Sequence, residues 1–296
     1  MELIEVEAFV TIAEHGSFTR SATALHISQP AISRRIDLLE RELGAPLFER
    51  TPGGARLTEA GGAFLPYARH LLAAARDGAA AVRALEHEEI GSVTLALVGT
   101  LASTALTAQL QRFRATYPKA RLRLRTARSD EVSAMVQRGE ATVGLRYFAD
   151  PDPLVVSRLV HDEALVVVCS AQSRLADLSA PDVRALAGIP WVTFRGGSAG
   201  EPYARIVERQ LHGNGLADAE VIPIDSLTAQ KRLIEADFGL GLLPASGIIE
   251  ETRLGTLCPL DLPTLNTTVP VMVIYRRQAY LSRAAQRLLD DLAGPA

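Results

Sequence analysis

The sequence predicts an α/β protein in three parts: a small helical module with a hairpin at the N-terminus, one long helix, and a two-lobed α/β domain. Three observations predict it. Apolar residues recur at helical spacing up to Leu43, a seam of small and apolar residues continues in steps of four and three from Phe64 to Leu85, and strand-like and helix-like segments alternate from Ser92 onward. With 296 residues the chain is long enough for about two domains with their own cores. Hydrophobic residues at 48% and charged residues at 22% are the balance of a globular chain, not of a disordered or fibrous one.

Leu3, Val6, Val10 and Ala13 predict a first helix over 2–14, ended by Gly16. Ser17 can cap a short second helix, FTRSATALH, and Ser28 a third in which Pro30 sits in the first turn, where its missing N–H costs nothing. Ile32, Ile36, Leu39 and Leu43 give that third helix a buried stripe. APLFERTPGGARL, residues 45–57, has two apolar anchors and a PGG turn, which predicts a short β-hairpin. Thr58 then caps a helix to about Glu89, bent at Pro66, whose seam of Phe64, Ala68, Leu71, Ala75, Gly78, Val82 and Leu85 is heptad-like.

Beyond Ser92 the segments VTLALV, ALTAQLQRFRATY, RLRLRT, SDEVSAMVQRG and TVGLRY have a βαβ rhythm. A further strand is expected to begin near Ala164, followed by PWVTF, YARIVERQLHG, EVIPI, LTAQKRLIEA, LGLLP, VPVMVIY and a last helix around Leu281 to Leu292. These are too many units for one small sheet, so two lobes are expected, with Val269 to Tyr275 returning to the first. The expected boundaries are 1–58 for the helical module, 59–89 for the linker helix, 92–163 with 268–296 for lobe I, and 164–267 for lobe II.

A net charge of −3 argues against nucleic acid until the charges are located. Residues 1–58 hold six arginines and eight acids, yet 17–36 hold three arginines and no acid, and 50–58 two arginines and no acid. Charge sorted by segment is what a surface facing phosphates needs. The first ten residues, MELIEVEAFV, lack the basic start of a secretory signal, and no apolar run approaches the roughly 18 residues of a membrane span. A cytoplasmic protein with no membrane association is expected. Cys169 and Cys258 form no CxxC or metal-like cluster, so neither a disulfide framework nor a metal site is predicted, and Cys169 reads as a core residue.

On a 100° wheel, Ile32, Ile36, Leu39 and Leu43 lie within about 40° of one another. Gln29, Ser33 and Arg34 are left together on the outward first turn, with Arg35 about 100° round the helix from Arg34. Gln pairs bidentately with adenine and Arg with guanine. A solvated helix face is the ordinary explanation of one such pair, but the short helix, the tight break and the capped second helix with a basic tip make a helix-turn-helix over about Phe18 to Asp37.

FTRSATALHISQPAISRRIDLLERELGAPLFERTPGGARLTEAG resembles, almost without a gap, the N-terminal domain of LysR-type transcriptional regulators, with SQPAxS, IxxLExxLGxxLFxR and LTxAG in order. VTLALVGTLAS, FRATYP, PWVTF and GLGLLPAS continue the resemblance more loosely. It implies a winged helix-turn-helix, a dimerising linker helix and a two-lobed effector domain similar to periplasmic binding proteins. By the same resemblance Gln29, Pro30, Ser33 and Arg34 meet the DNA groove, while Arg35, Arg50, Arg56, Ser17 and Thr19 bind the DNA backbone. Many relatives carry another basic residue in the wing where this chain has Gly53, which implies weaker wing affinity.

For the second half the resemblance implies an effector pocket lined by Thr100, Leu101, Ala102, Ser103, Ser129, Arg146, Thr193, Phe194 and Arg195, and a small carboxylate as its ligand. Small polar strand ends that run into helices suit an anion. Any one of the arginines is as well explained by an ion pair. Where the family has GxLDLAI this chain has GEATVGL, so Thr142 inherits no role. Double-stranded DNA, a small effector, a second copy of the chain as dimer or tetramer, and RNA polymerase are the implied partners, with no cofactor.

Two other readings exist. GGSAG, residues 196–200, satisfies the GxSxG of a serine hydrolase, but the only histidine after Ser198 is His212, in the next helix, where it is poorly placed for a triad. No HExxH, Walker loop or EF-hand occurs, and GLGLLP lacks the third glycine of a dinucleotide site, so an enzyme is not expected. An exported solute-binding protein would share the second half but not the helix-turn-helix.

Overall fold

The computed structural model of the chain describes residues 1–51, 54–86, 91–102, 104–178, 181–194 and 202–294, without the side chains of 50, 51, 83–86, 104 and 202. The chain falls into two compact units: Met1–Glu88 with Gln137–Glu140 and Gln278–Tyr280, and the remainder.

In the first unit α1 (Leu3–His15), α2 (Phe18–Ala24) and α3 (Gln29–Leu43) precede the hairpin strands β1 (Phe48–Thr51) and β2 (Gly54–Leu57) and the helix α4 (Glu59–Glu86). The predicted punctuation is present. Ser17 Oγ accepts from the Arg20 amide at 3.4 Å, Ser28 Oγ from the Ala31 amide at 3.3 Å, and Thr58 Oγ1 from the Gly61 amide at 3.0 Å. Gly16 and Gly44 close α1 and α3 in the left-handed conformation. Ile32, Ile36 and Leu39 are buried beside Phe9, whose ring lies 5.2 Å from Phe48 and 5.1 Å from Phe64.

The structure corrects one expectation in this unit. Leu43, placed by its spacing in the buried stripe, is exposed, because α3 ends there and the core closes at Leu39. Of the α4 seam, Ala68 is buried in the core of this unit, and Leu71 and Val82 are exposed in the single chain. Pro66 lies inside this helix, near its start.

Glu40 is structural in a way its spacing did not announce. Its Oε1 accepts from the Leu47 amide at 2.7 Å and the Phe48 amide at 3.2 Å, tying α3 to the start of the hairpin. The other end of the hairpin is fixed by the Ala55 amide on the Gly16 carbonyl at 2.9 Å. Gly54 permits that approach: its φ is +125°, and a Cβ there would stand 2.2 Å from the Gly16 oxygen. The hairpin tip, with Gly53, lies outside the described residues.

The second unit contains β3 (Ser92–Val98), α5 (Thr104–Thr116), β4 (Arg121–Ala127), α6 (Ser129–Gln137), β5 (Val143–Tyr147), β6 (Val155–Ser170), β7 (Trp191–Phe194) and α7 (Pro202–Gly213). It continues with β8 (Val221–Ile224), α8 (Leu227–Glu235), β9 (Gly241–Pro244), α9 (Ile249–Leu254), β10 (Leu257–Leu260), β11 (Thr267–Arg276) and α10 (Arg283–Ala293). β3 pairs parallel with β4 and β5, as the βαβ rhythm requires, and β11 returns antiparallel between β5 and β6.

The strand expected from Ala164 begins at Val155 instead. Its first half carries exposed Leu159, His161 and Asp162, which hid it from a search for apolar runs. That half pairs with β11, and the second half with β9 and β10. Leu165 is the changeover, opposite both Thr267 and Pro244, so one long strand carries the hydrogen-bonded sheet from the first lobe into the second. β7 and β8 form a separate parallel pair, joined to the start of β9 by the Trp191–Leu240 bridge. Cys169 and Cys258, remote in sequence, are directly opposite in the β6–β10 register. Both are free thiols. Among the described residues no helix is long and apolar enough to cross a membrane.

Candidate functional site

The first site is the N-terminal turn of α3. Ser28 caps the helix, Pro30 occupies its first turn, and Gln29, Pro30 and Arg34 are exposed. Gln29 Nε2 donates to Ser33 Oγ at 3.3 Å, so the two polar groups on this face are held as a pair beside Arg34. Arg35 is half-buried on the flank, as its wheel position predicts. The turn before α3 is drawn tight by the Ile27 amide on the Ala22 carbonyl at 3.0 Å, with His26 at φ 54°. Ser17 is engaged as the α2 cap, Thr19 and Arg56 are exposed, and the side chain of Arg50 lies outside the described residues.

The second site is a cavity of about 1230 Å³ in the second unit. The ends of β3 and β4 line one part of it, and α8 and α9 another. Of the residues expected here, Thr100, Ala102 and Phe194 line it. Leu101 is turned into the core and Ser129 is buried at the start of α6. Thr193 is buried within β7, with its hydroxyl oxygen unpartnered among the described residues. Ser103, Arg195 and the GGSAG segment lie outside the described residues.

Arg146 is not among the lining residues. Its guanidinium is buried against Asp150 Oδ2 at 3.0 Å, the Tyr147 carbonyl at 3.1 Å and the Ser133 hydroxyl. Strand alternation explains the difference. Arg146 shares a face with Gly144, where a Cβ would press on Val132 and Val136 of α6 within 3.0 Å, so that face is covered by the helix. Its neighbour Tyr147 faces the cavity instead.

Tyr147 and Tyr203 are lining residues that sequence reasoning missed. The Thr100 hydroxyl donates to the Tyr147 oxygen at 3.2 Å, and the Tyr147 ring lies 5.7 Å from that of Tyr203, which meets Phe194 edge-on at 5.4 Å. Tyr203 donates to the Leu242 carbonyl at 2.6 Å, and burial, with smaller contributions from Tyr147 and Glu163, pushes its phenol well above the ordinary value. It therefore remains a neutral wall and donor at all physiological pH values. The period-2 pattern of VGLRY was the signal that could have found Tyr147 in place of Arg146.

The α8–α9 side is polar. Lys231 Nζ lies 2.7 Å from Glu251 Oε1 and donates to the Gly247 carbonyl at 3.0 Å. Burial opposes ionisation of Glu251, but the Lys231 hydrogen bond, its own backbone and the nearby positive charges outweigh it and hold the carboxyl below its ordinary value. Ser246 is positioned by Glu163 of β6, which accepts from its amide at 3.0 Å and its hydroxyl at 2.8 Å. Thr142, which stands where the family has an acid, is also structural: its hydroxyl oxygen accepts from the Thr94 amide at 3.3 Å.

A helix-turn-helix with a basic tip, in one chain with a two-lobed α/β domain that holds a cavity, is the arrangement of a DNA-binding regulator with an effector-binding domain. Comparison with known proteins gives the family. Residues 3–62 match the family described as bacterial regulatory helix-turn-helix protein, lysR family, and residues 86–294 match the LysR substrate binding domain. The chain belongs to the LysR family of transcriptional regulators. It is 31% identical over 280 residues to the HTH-type transcriptional regulator ClcR of Pseudomonas putida, covering 93% of each chain. It is 29% identical over 276 residues to TfdS of Cupriavidus pinatubonensis, covering 93% of this chain and 92% of that protein. Among solved structures, full-length CbnR in complex with its target DNA shares 25% identity at a TM-score of 0.62, with 99% of each chain covered. The family is one of regulators, not enzymes, and neither the hydrolase nor the solute-binding reading is supported.

Proposed function

We propose that this LysR-type regulator reads its operator with the first turn of α3, acts as a dimer or tetramer through α4, and responds to a small carboxylate in the cavity. Gln29, Pro30, Ser33 and Arg34 meet base edges in this reading, while Arg35, Arg50, Arg56, Ser17 and Thr19 engage the DNA backbone. The observation that carries it is the exposed Gln29–Ser33 pair beside exposed Arg34 on a capped helix start, in a stretch from 17 to 36 without an acid. Arg34→Ala is expected to flatten discrimination at one base position, and Arg56→Ala to weaken all sites alike and lower the salt slope by about 1. Titrations against site variants at several salt concentrations test this, and identical behaviour of the two mutants would sink it.

The exposed Leu71 and Val82 on α4 support pairing of two copies along that helix. The changeover in β6 supports lobes of 92–163 with 268–296 and of 164–267. Thr100, Thr126 and Arg128, at strand ends and the start of α6, support an anionic group at that end of the cavity. Ligand binding then alters lobe closure and the spacing of the paired DNA-binding modules, changing DNA bend and access of RNA polymerase in the cytoplasm. Footprints that never differ with and without ligand would contradict this mechanism.

A further inference from the structure

The two cysteines are 89 residues apart in the chain and directly opposite each other in the sheet, Cys169 on β6 and Cys258 on β10. Residues opposite one another in a ladder point to the same side of the sheet. Packing agrees: both cysteines meet the main core of the second unit, while their neighbours Val168 and Leu257 are buried in a separate, smaller cluster. Cys169 Sγ donates to the Cys258 carbonyl at 3.6 Å and is also hydrogen-bonded to the Cys258 side chain, so the two thiols adjoin.

The ladder spacing suits a bond between them. The Ala171 amide donates to the Thr256 carbonyl at 3.1 Å two residues further along, and Pro259, which has no N–H, stands opposite Val168. Hydrogen-bonded and non-hydrogen-bonded pairs alternate along an antiparallel ladder, so Cys169 and Cys258 are a hydrogen-bonded pair, with Cα atoms about 5.5 Å apart. That is close to the separation that disulfides most often span. The thiols differ in access. Cys169 is buried, and burial, with the adjoining Cys258 and the charge of Asp237, pushes its thiol up to about 12, so it is inert on its own. Cys258 is half-buried on β10, at the edge of the sheet.

We propose that Cys169 and Cys258 are a modification site, closed to an intrachain disulfide by exchange with a low-molecular-weight disulfide. The Cys258 thiolate attacks one sulfur of the reagent, which forms a mixed disulfide and releases the first reagent thiol. Cys169 then gives up its proton, and its sulfur attacks that of Cys258 and expels the second. Two protein thiols are oxidised and one reagent disulfide is reduced to two thiols. The bond fastens strands that already hold α8: Ser170 donates to the Glu235 carbonyl at 3.0 Å, and Thr256 to Glu235 Oε1 at 2.7 Å. Disulfides of reducing compartments are mostly transient and sensing, and one held across a stiff ladder is readily reduced again.

Treatment of the full-length protein with 2-hydroxyethyl disulfide, followed by intact-mass measurement and peptide mapping without reduction, tests this. The wild type is expected to lose both free thiols and two hydrogens in mass, and to give one cross-linked peptide pair holding Cys169 and Cys258, all reversed by dithiothreitol. Cys169→Ser should stop at the mixed disulfide on Cys258, and Cys258→Ser should leave Cys169 unmodified. Should either variant fold poorly, the wild-type map decides alone. Two free thiols that persist in the treated wild type, a mixed disulfide on Cys258 that never resolves, or a cross-link only between two chains would overturn the inference.

Discussion

The α3 tip and the cavity solve opposite problems. At the tip every structural need is met locally: Ser28 caps, Pro30 starts the helix, Ile32 and Ile36 anchor it, and the remaining side chains are free to face outward. The cavity is assembled from segments more than a hundred residues apart, and its polar groups are held by other elements, as Lys231 of α8 is by Glu251 of α9. The tip is thus set by residues that are neighbours in sequence. The cavity is set by the packing of elements remote in sequence.

That contrast can be broken by substitutions, and the largest effect is expected at Arg146. Asp150 is almost wholly buried beneath it, so Arg146→Ala leaves an unpaired interior charge and should cost about 3–5 kcal/mol of stability in the second unit. Urea unfolding should detect this, and if Arg146→Ala instead folds normally and only loses ligand, its role is in the cavity after all. Ile32→Ala removes a fully buried anchor of α3 and should cost about 2–5 kcal/mol. DNA affinity should then fall for all sequences alike, which gel-shift titrations can check.

Acid offers a subtler probe. The lowered pKa of Glu251 means that its pairing with Lys231 contributes stability in full above the ordinary glutamate range, and that this contribution is lost as pH falls through the lowered value. The Tm advantage of the wild type over Glu251→Gln should therefore shrink below about pH 4, and an advantage that persists undiminished would contradict the assignment. Smallest is Ser28→Ala, expected to cost about 1 kcal/mol by removing the α3 cap, with discrimination between DNA sites kept once the protein is folded.

The sequence was legible wherever a feature is written in neighbouring positions. Capping serines, the glycine stops, the stripe from Ile32 to Leu39 and the βαβ rhythm of the second unit all appear where spacing put them. Leu43 failed because periodicity gives a face and not the extent of what covers it. The cavity was half legible. Thr100, Ala102 and Phe194, which the family resemblance implied, line it, whereas Arg146, implied in the same way, does not and its strand neighbour Tyr147 does. Lys231 and Glu251, on α8 and α9, meet only through tertiary packing that no local pattern encodes.

The role of the α3 tip is tested most directly without a known operator, by selecting binding sites from random-sequence DNA with the wild type and with Arg34→Ala in parallel. The wild type is expected to enrich paired half-sites, and Arg34→Ala to enrich the same half-sites with the preference lost at one base position, worth about 1–3 kcal/mol. Identical site preferences from both proteins would show that Arg34 does not read the groove.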